Sequence, residues 1–179
     1  MTASRQPSVT LFTPFGPIRI RVDLDAAPIT AANFLAYVDG GHLNDTSFYR
    51  LVRNDNQPED TPAKIEVVQF GYPMQGDVYS GPFPCIPHEP TSVTGLSHRD
   101  GTISMARTRP GTAGSGFFIC VGDQPELDFG GRRHPDGLGF AAFGQVEEGM
   151  DVARAILSRA QPVQLLSDPI PLLRAERTA

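Results

Sequence analysis

The sequence predicts a mainly β fold, a closed eight-stranded antiparallel barrel capped by two α-helices. Three observations lead there. Among 179 residues, 18 are glycine and 17 are proline, together well above the usual share of about 12%. Turns are therefore many, and a helical bundle or coiled coil is excluded. Short apolar or alternating runs recur along the chain between Gly- and Pro-rich stretches, as strands do. Only two stretches carry helical periodicity, and that ordering fits a barrel with helical caps.

Residues 8–23 read as a hairpin. Val9 and Leu11 alternate with Thr10 and Phe12; beyond the turn Pro14-Phe15-Gly16-Pro17, Ile18, Ile20 and Val22 alternate with Arg19, Arg21 and Asp23. That period of two makes Arg19 and Arg21 a solvated strand face rather than a basic site. Pro28 starts a helix, because its missing N–H has no partner at that position anyway. Ala31, Phe34, Leu35 and Val38 form its apolar stripe, and Gly40-Gly41 ends it. Strands are expected at Ser47–Val52 and Ile65–Phe70, with polar, turn-rich residues 54–63 between them.

Residues 71–91 show no period and read as a long loop, a kind of segment that usually carries function or packs as surface coil. Thr102–Ala106 and Gly116–Val121 are buried strands. Residues 122–139 make a second long loop, and Phe140–Val146 a further strand. Met150, Val152, Ala153, Ile156 and Leu157 build the second helix, and the preceding pair Glu147-Glu148 suits its positive end. Ile170–Ala175 closes the fold. With no repeat or linker, residues 1–179 are expected to form one domain, its core spanning about 8–175.

Composition narrows the chemistry. The formal charge is −5, leaving no basic surplus for phosphate contacts, so nucleic acid is an unfavourable partner. No run of about 18 apolar residues is present, so no membrane span is expected. MTASRQP lacks a secretory apolar core, and the chain as given reads as cytosolic. Cys85 and Cys120 are too few for a disulfide framework, although one bridge between them stays open. Neither a G-x-S-x-G elbow nor a glycine-rich phosphate loop occurs. His42, His88, His98 and His134 are scattered without metal-ligand spacing and read as exposed or locally hydrogen-bonded. No cofactor or metal is called for.

Five ordered segments carry a resemblance. They are Ala27-Pro28-Ile29-Thr30-Ala31-Ala32-Asn33-Phe34, Ser47-Phe48-Tyr49-Arg50, Gly101-Thr102-Ile103-Ser104-Met105-Ala106-Arg107, Gly114-Ser115-Gly116-Phe117-Phe118-Ile119 and Phe143–Val152. In this order and spacing, the chain resembles the cyclophilin-type peptidyl-prolyl isomerases over about residues 8–175. The resemblance implies the same eight-stranded barrel and two helices. It also implies an isomerase that rotates X–Pro bonds in proline-containing peptides and partly folded polypeptides. Arg50 resembles the family's catalytic arginine, and Gln69 the glutamine that orients it and touches the substrate carbonyl. Phe118 resembles the floor of the proline pocket, Leu127 and Phe140 its wall, Val67 an apolar wall position and Ala106 a backbone-contact position. Phe117 is expected to point the other way, into the core.

Departures accompany the match. Phe140 stands where many eukaryotic members carry histidine, which suggests a bacterial type. Glu66 stands where a phenylalanine is usual, leaving one side of the pocket to be closed by another residue such as Ile65. Gly116 replaces a common glutamine. Glu126 stands where a tryptophan gives tight cyclosporin binding in sensitive members, so weak cyclosporin binding is implied. These departures keep open a second reading, a cyclophilin-like module that binds proline peptides with little turnover. A hydrolase using Ser115 or Cys120 would lack a positioned base.

Overall fold

The computed structural model describes residues 6–178. Its strands are β1 (Ser8–Thr13), β2 (Gly16–Val22), β3 (Thr46–Val52), β4 (Val67–Gly71), β5 (Thr102–Met105), β6 (Gly116–Cys120), β7 (Gly144–Glu148), β8 (Leu165–Leu172) and β9 (Arg174–Thr178). The helices are α1 (Pro28–Asp39), a single turn α2 (Thr91–Thr94) and α3 (Met150–Leu157). All strands form one antiparallel sheet in the order β8-β3-β4-β6-β5-β7-β2-β1-β9.

The expected count of eight strands becomes nine for a simple reason. The two ends of the row, β8 and β9, are consecutive in the chain and separated only by Leu173. β8 pairs with β3 while β9 pairs with β1. The Leu173 N–H donates to the Phe12 carbonyl at 2.9 Å, so one bent terminal strand closes the ring and removes most of the exposed sheet edge. It starts at Leu165, earlier than the expected Ile170. β7 starts later than expected, at Gly144, because the Phe140 N–H donates to Leu127 O (2.9 Å) in the neighbouring loop instead of to a ladder.

Alternation sorts side chains into two clusters. Phe48, Leu51, Val68, Phe70, Ile103, Met105, Phe117 and Ile119 fill the barrel with Val9, Leu11, Ile18 and Ile20. Val52, Val67, Phe118, Cys120 and Ala106 lie in a second cluster, on the outer side of β3, β4, β6 and β5, with Ile65, Tyr79, Leu127 and Phe140 from loops. Phe117 and Phe118 thus part as the pleat requires. The first turn of α1 is capped from afar. Glu89 Oε1 accepts from both the N–H and the hydroxyl of Thr30 at 2.6 Å, placing a carboxylate at the positive helix end. Cys85 and Cys120 are both free thiols, and full burial pushes the Cys120 thiol pKa up.

Candidate active site

A row of register partners crosses the outer face of four strands. Arg50 on β3 stands opposite Gln69 on β4, Gln69 opposite Phe118 on β6, and Phe118 opposite Ser104 on β5. Strict alternation would send Tyr49 and Arg50 to opposite faces. The β3–β4 register shifts between Phe48 and Arg50 and makes Tyr49 an extra residue opposite β4, whereas the shift in the β3–β8 ladder leaves the extra residues on β8. Phe48 and Leu51 consequently stay in the core while Tyr49 and Arg50 both face the outer cavity. This is the re-aiming that a β-bulge performs beside many active sites.

That cavity has a volume of about 770 Å³, and Arg50, Val67, Ala106, Phe118, Leu127 and Phe140 all line it. Gln69 lies just behind, 1% exposed. Its Oε1 accepts from Arg50 Nη1 at 2.9 Å, and its Nε2 donates to Tyr49 Oη at 2.8 Å and Tyr79 Oη at 3.4 Å. Gln164, just before β8, holds the other side: its Oε1 accepts from Arg50 Nε at 3.1 Å and Nη2 at 2.6 Å. These bonds engage three of the roughly five guanidinium N–H donors. The others make no hydrogen bond among the described residues. Burial presses the Arg50 pKa down, but guanidinium starts so high that it stays charged. Burial likewise raises the Tyr49 pKa, keeping its phenol protonated.

Phe118 and Phe140 meet edge to face, 6.0 Å between centroids at 80°, an attractive arrangement for aromatic quadrupoles. Behind Phe118 lies the His98 ring, 6.2 Å away and nearly parallel at 17°. His98 is 1% exposed. Its Nδ1 bonds Asp128 Oδ1 at 2.7 Å and its Nε2 bonds Ser104 Oγ at 2.8 Å. Burial of Asp128 raises its pKa, but hydrogen bonds from the His98 side chain and backbone outweigh that and lower it. The Asp-His-Ser order has the connectivity of a hydrolase relay, yet Ser104 is 0% exposed and cannot reach a substrate. Its chemical role is to satisfy a buried polar group under the pocket floor. Ser115 and Cys120 are also fully buried.

The far wall is built on Arg107. Its guanidinium forks onto Asp136 at 2.8 and 2.9 Å, donates to Gly139 O from Nε at 2.9 Å and Nη2 at 2.6 Å, and lies 5.0 Å over the Phe140 ring. Ile65, 4% exposed, lines the cavity and closes the side where Glu66 offers no ring. Tyr79 explains Gly116. A Cβ on Gly116 would lie 2.6 Å from Tyr79 Cδ1, so the tyrosine ring occupies the space a side chain at 116 would need. Gly116→Gln is expected to destabilise by about 1–3 kcal/mol through overpacking. Combined with Tyr79→Ala it should show a favourable coupling of at least about 0.5 kcal/mol in a double-mutant cycle by urea melts.

Sequence reasoning missed Tyr49, Tyr79, Gln164, Arg107 and Arg133 as cavity residues. Gln164 lies in an unassigned stretch and meets Arg50 from 114 positions away; no local signal marks it. The bulge that turns Tyr49 outward has no period of its own to read.

A protein-family model described as cyclophilin type peptidyl-prolyl cis-trans isomerase/CLD matches residues 8–176. Peptidyl-prolyl cis-trans isomerase A of Dickeya dadantii is 34% identical over 161 residues, covering 86% of this chain and 73% of its own. Peptidyl-prolyl cis-trans isomerase cyp18 of Streptomyces antibioticus is 36% identical over 150 residues, covering 83% of this chain and 82% of its own. Among solved structures, a Cryptosporidium parvum cyclophilin type isomerase determined in the presence of the dipeptide Ala-Pro shares the fold. Its TM-score is 0.75 at 20% identity, over 96% of this chain and 99% of that one.

Proposed function

The chain belongs to the cyclophilin-type peptidyl-prolyl cis-trans isomerases, and from that premise we propose that Arg50 drives X–Pro rotation by hydrogen-bonding the prolyl nitrogen as the amide twists. The reaction makes and cuts no bond to carbon. Its barrier, about 18–20 kcal/mol, is amide resonance lost on twisting. A planar prolyl nitrogen is a poor acceptor because its lone pair is conjugated; the twisted nitrogen is a good one. A fixed cation beside it therefore favours the transition state over the ground state. One charge-assisted hydrogen bond contributes roughly 1.5–3 kcal/mol. A thousandfold acceleration needs about 4 kcal/mol, and ring fixation with exclusion of water supplies the remainder.

The observation that carries this reading is the Arg50–Gln69–Phe118 row. A partly buried guanidinium, anchored by two glutamines and retaining unused donors, borders an apolar cavity. Under it, the pyrrolidine ring packs on Phe118 between Val67, Leu127 and Phe140, with Ala106 at the groove. The substrate class is proline-containing peptides and partly folded polypeptides, in keeping with the Ala-Pro dipeptide present with the Cryptosporidium relative. A protease-coupled assay on an Ala-Pro peptide tests it, with catalysed turnover expected. Peptide binding without turnover would favour the binding-module reading instead.

Cyclosporin is expected to bind weakly, with no inhibition in the nanomolar range. Glu126 presents a charged side chain, held by Arg132 at 3.1 Å, where sensitive members offer an indole. An inhibition titration checks it, and nanomolar potency would contradict it.

A further inference from the structure

The cavity is charged against the grain of the protein. The chain carries 20 Asp and Glu against 15 Lys and Arg. Yet among the described residues the cavity is lined by Arg50, Arg107, Arg133 and His134, and by no carboxylate. Asp136 neutralises Arg107. Arg133 has no such partner among the described residues: its Nη1 donates to two neutral acceptors, Gln57 Oε1 at 2.7 Å and Ala63 O at 3.1 Å. Arg50 likewise meets only neutral glutamine oxygens. Adjoining carboxylates are engaged elsewhere, Asp55 with Arg53 and Glu126 with Arg132, while Glu66 accepts from the Asn54 N–H. Burial and the like charge of Arg50 both lower the Arg133 pKa, the signature of two cations sharing one partly desolvated space.

An unneutralised pair of cations in a cavity favours an anion there, and repels a further cation, more strongly than the same charges would in open water. We propose that the site prefers proline segments with an acidic residue flanking the proline, and that Arg133 reads that carboxylate. The Arg50 end is taken up by the prolyl amide, leaving Arg133 as the cation available to a flanking side chain. Guanidinium suits the task because it offers a carboxylate two parallel donors. The inference rests on the cavity being the peptide site, as proposed above.

The test uses proline peptides with Glu, Gln or Lys immediately before or after the proline. Isomerisation is read without a protease by NMR exchange, and affinity by fluorescence anisotropy. At low salt, kcat/KM and affinity for Glu over Lys are expected to differ at least about tenfold at one of the two positions. The ratio should shrink in about 1 M salt, where the Debye length is near 3 Å. It should fall toward one in Arg133→Gln and invert in Arg133→Glu. Equal handling of Glu and Lys at both positions by the native protein would overturn the inference. So would a ratio unmoved by both salt and Arg133→Gln. Turnover without charge preference sinks this inference alone. Glu-selective binding without turnover upholds it and sinks the catalytic role proposed for Arg50. Failure to bind any of the peptides contradicts both.

Discussion

Arg50→Ala is expected to lower kcat/KM on an Ala-Pro peptide by about a hundredfold, the equivalent of one charge-assisted hydrogen bond of about 3 kcal/mol. The loss should fall mainly on kcat, because the bond strengthens as the amide twists, while KM should change little. Arg50→Lys should recover only a small part. Three bonds to Gln69 and Gln164 presently fix the guanidinium. An ammonium is a compact charge with three donors on a flexible stem, without the planar fork that spans both glutamines, so it holds no fixed aim at the prolyl nitrogen. A protease-coupled assay, with a thermal melt to confirm folding, checks both variants. Turnover near the native rate in Arg50→Ala would remove it as the catalytic residue.

The largest expected stability effect lies on the opposite wall. Asp136→Ala leaves the Arg107 guanidinium, 1% exposed in its side chain, without its countercharge. Gly139 O still accepts from it, so the loss should be about 2–3 kcal/mol, typical of hydrogen bonds to a charged group. Freed from Asp136, Arg107 would also loosen over the Phe140 ring, and substrate affinity should fall with stability. The pair has a pH signature. Hydrogen bonding from Arg107 holds the Asp136 pKa down at about 2, against about 3.9 for an unfolded aspartate. A depressed folded pKa stabilises above the unfolded value. This contribution is therefore fully present above about pH 4 and lost as pH falls toward 2. Urea melts of native protein and Asp136→Ala should converge across that window; a constant gap between them would contradict the assignment.

What could be read from the sequence was whatever a local pattern encodes. The resemblance puts Phe118 at the pocket, alternation then sends Phe117 into the core, and both helices follow from the spacing of their apolar stripes. Arg50, Gln69 and Phe118, which the resemblance names, come together because strand register sets them side by side, while Leu127 and Phe140 reach the cavity from loops tied by the Phe140 N–H to Leu127 O bond. What escaped was non-local or aperiodic. A bulge at Tyr49 reverses one side chain against the alternation. The break at Leu173 turns one strand into two. Tyr79 fills the vacancy at Gly116 from a loop without period. Gln164 and Arg133 reach the cavity from segments whose conformation depends on partners far along the chain. His98, expected like the other loop histidines to be exposed or locally hydrogen-bonded, is instead almost fully buried, with Asp128 and Ser104 satisfying both ring nitrogens.

The most direct test of Arg50's proposed role follows a bound Ala-Pro peptide by NMR exchange spectroscopy in native protein and in Arg50→Ala, at matched fractional occupancy. Interconversion of the bound cis and trans forms should be fast with the native protein and slower by about a hundredfold in the variant, with similar dissociation constants. Equal interconversion rates at equal occupancy would show that the guanidinium does not act on the rotating bond.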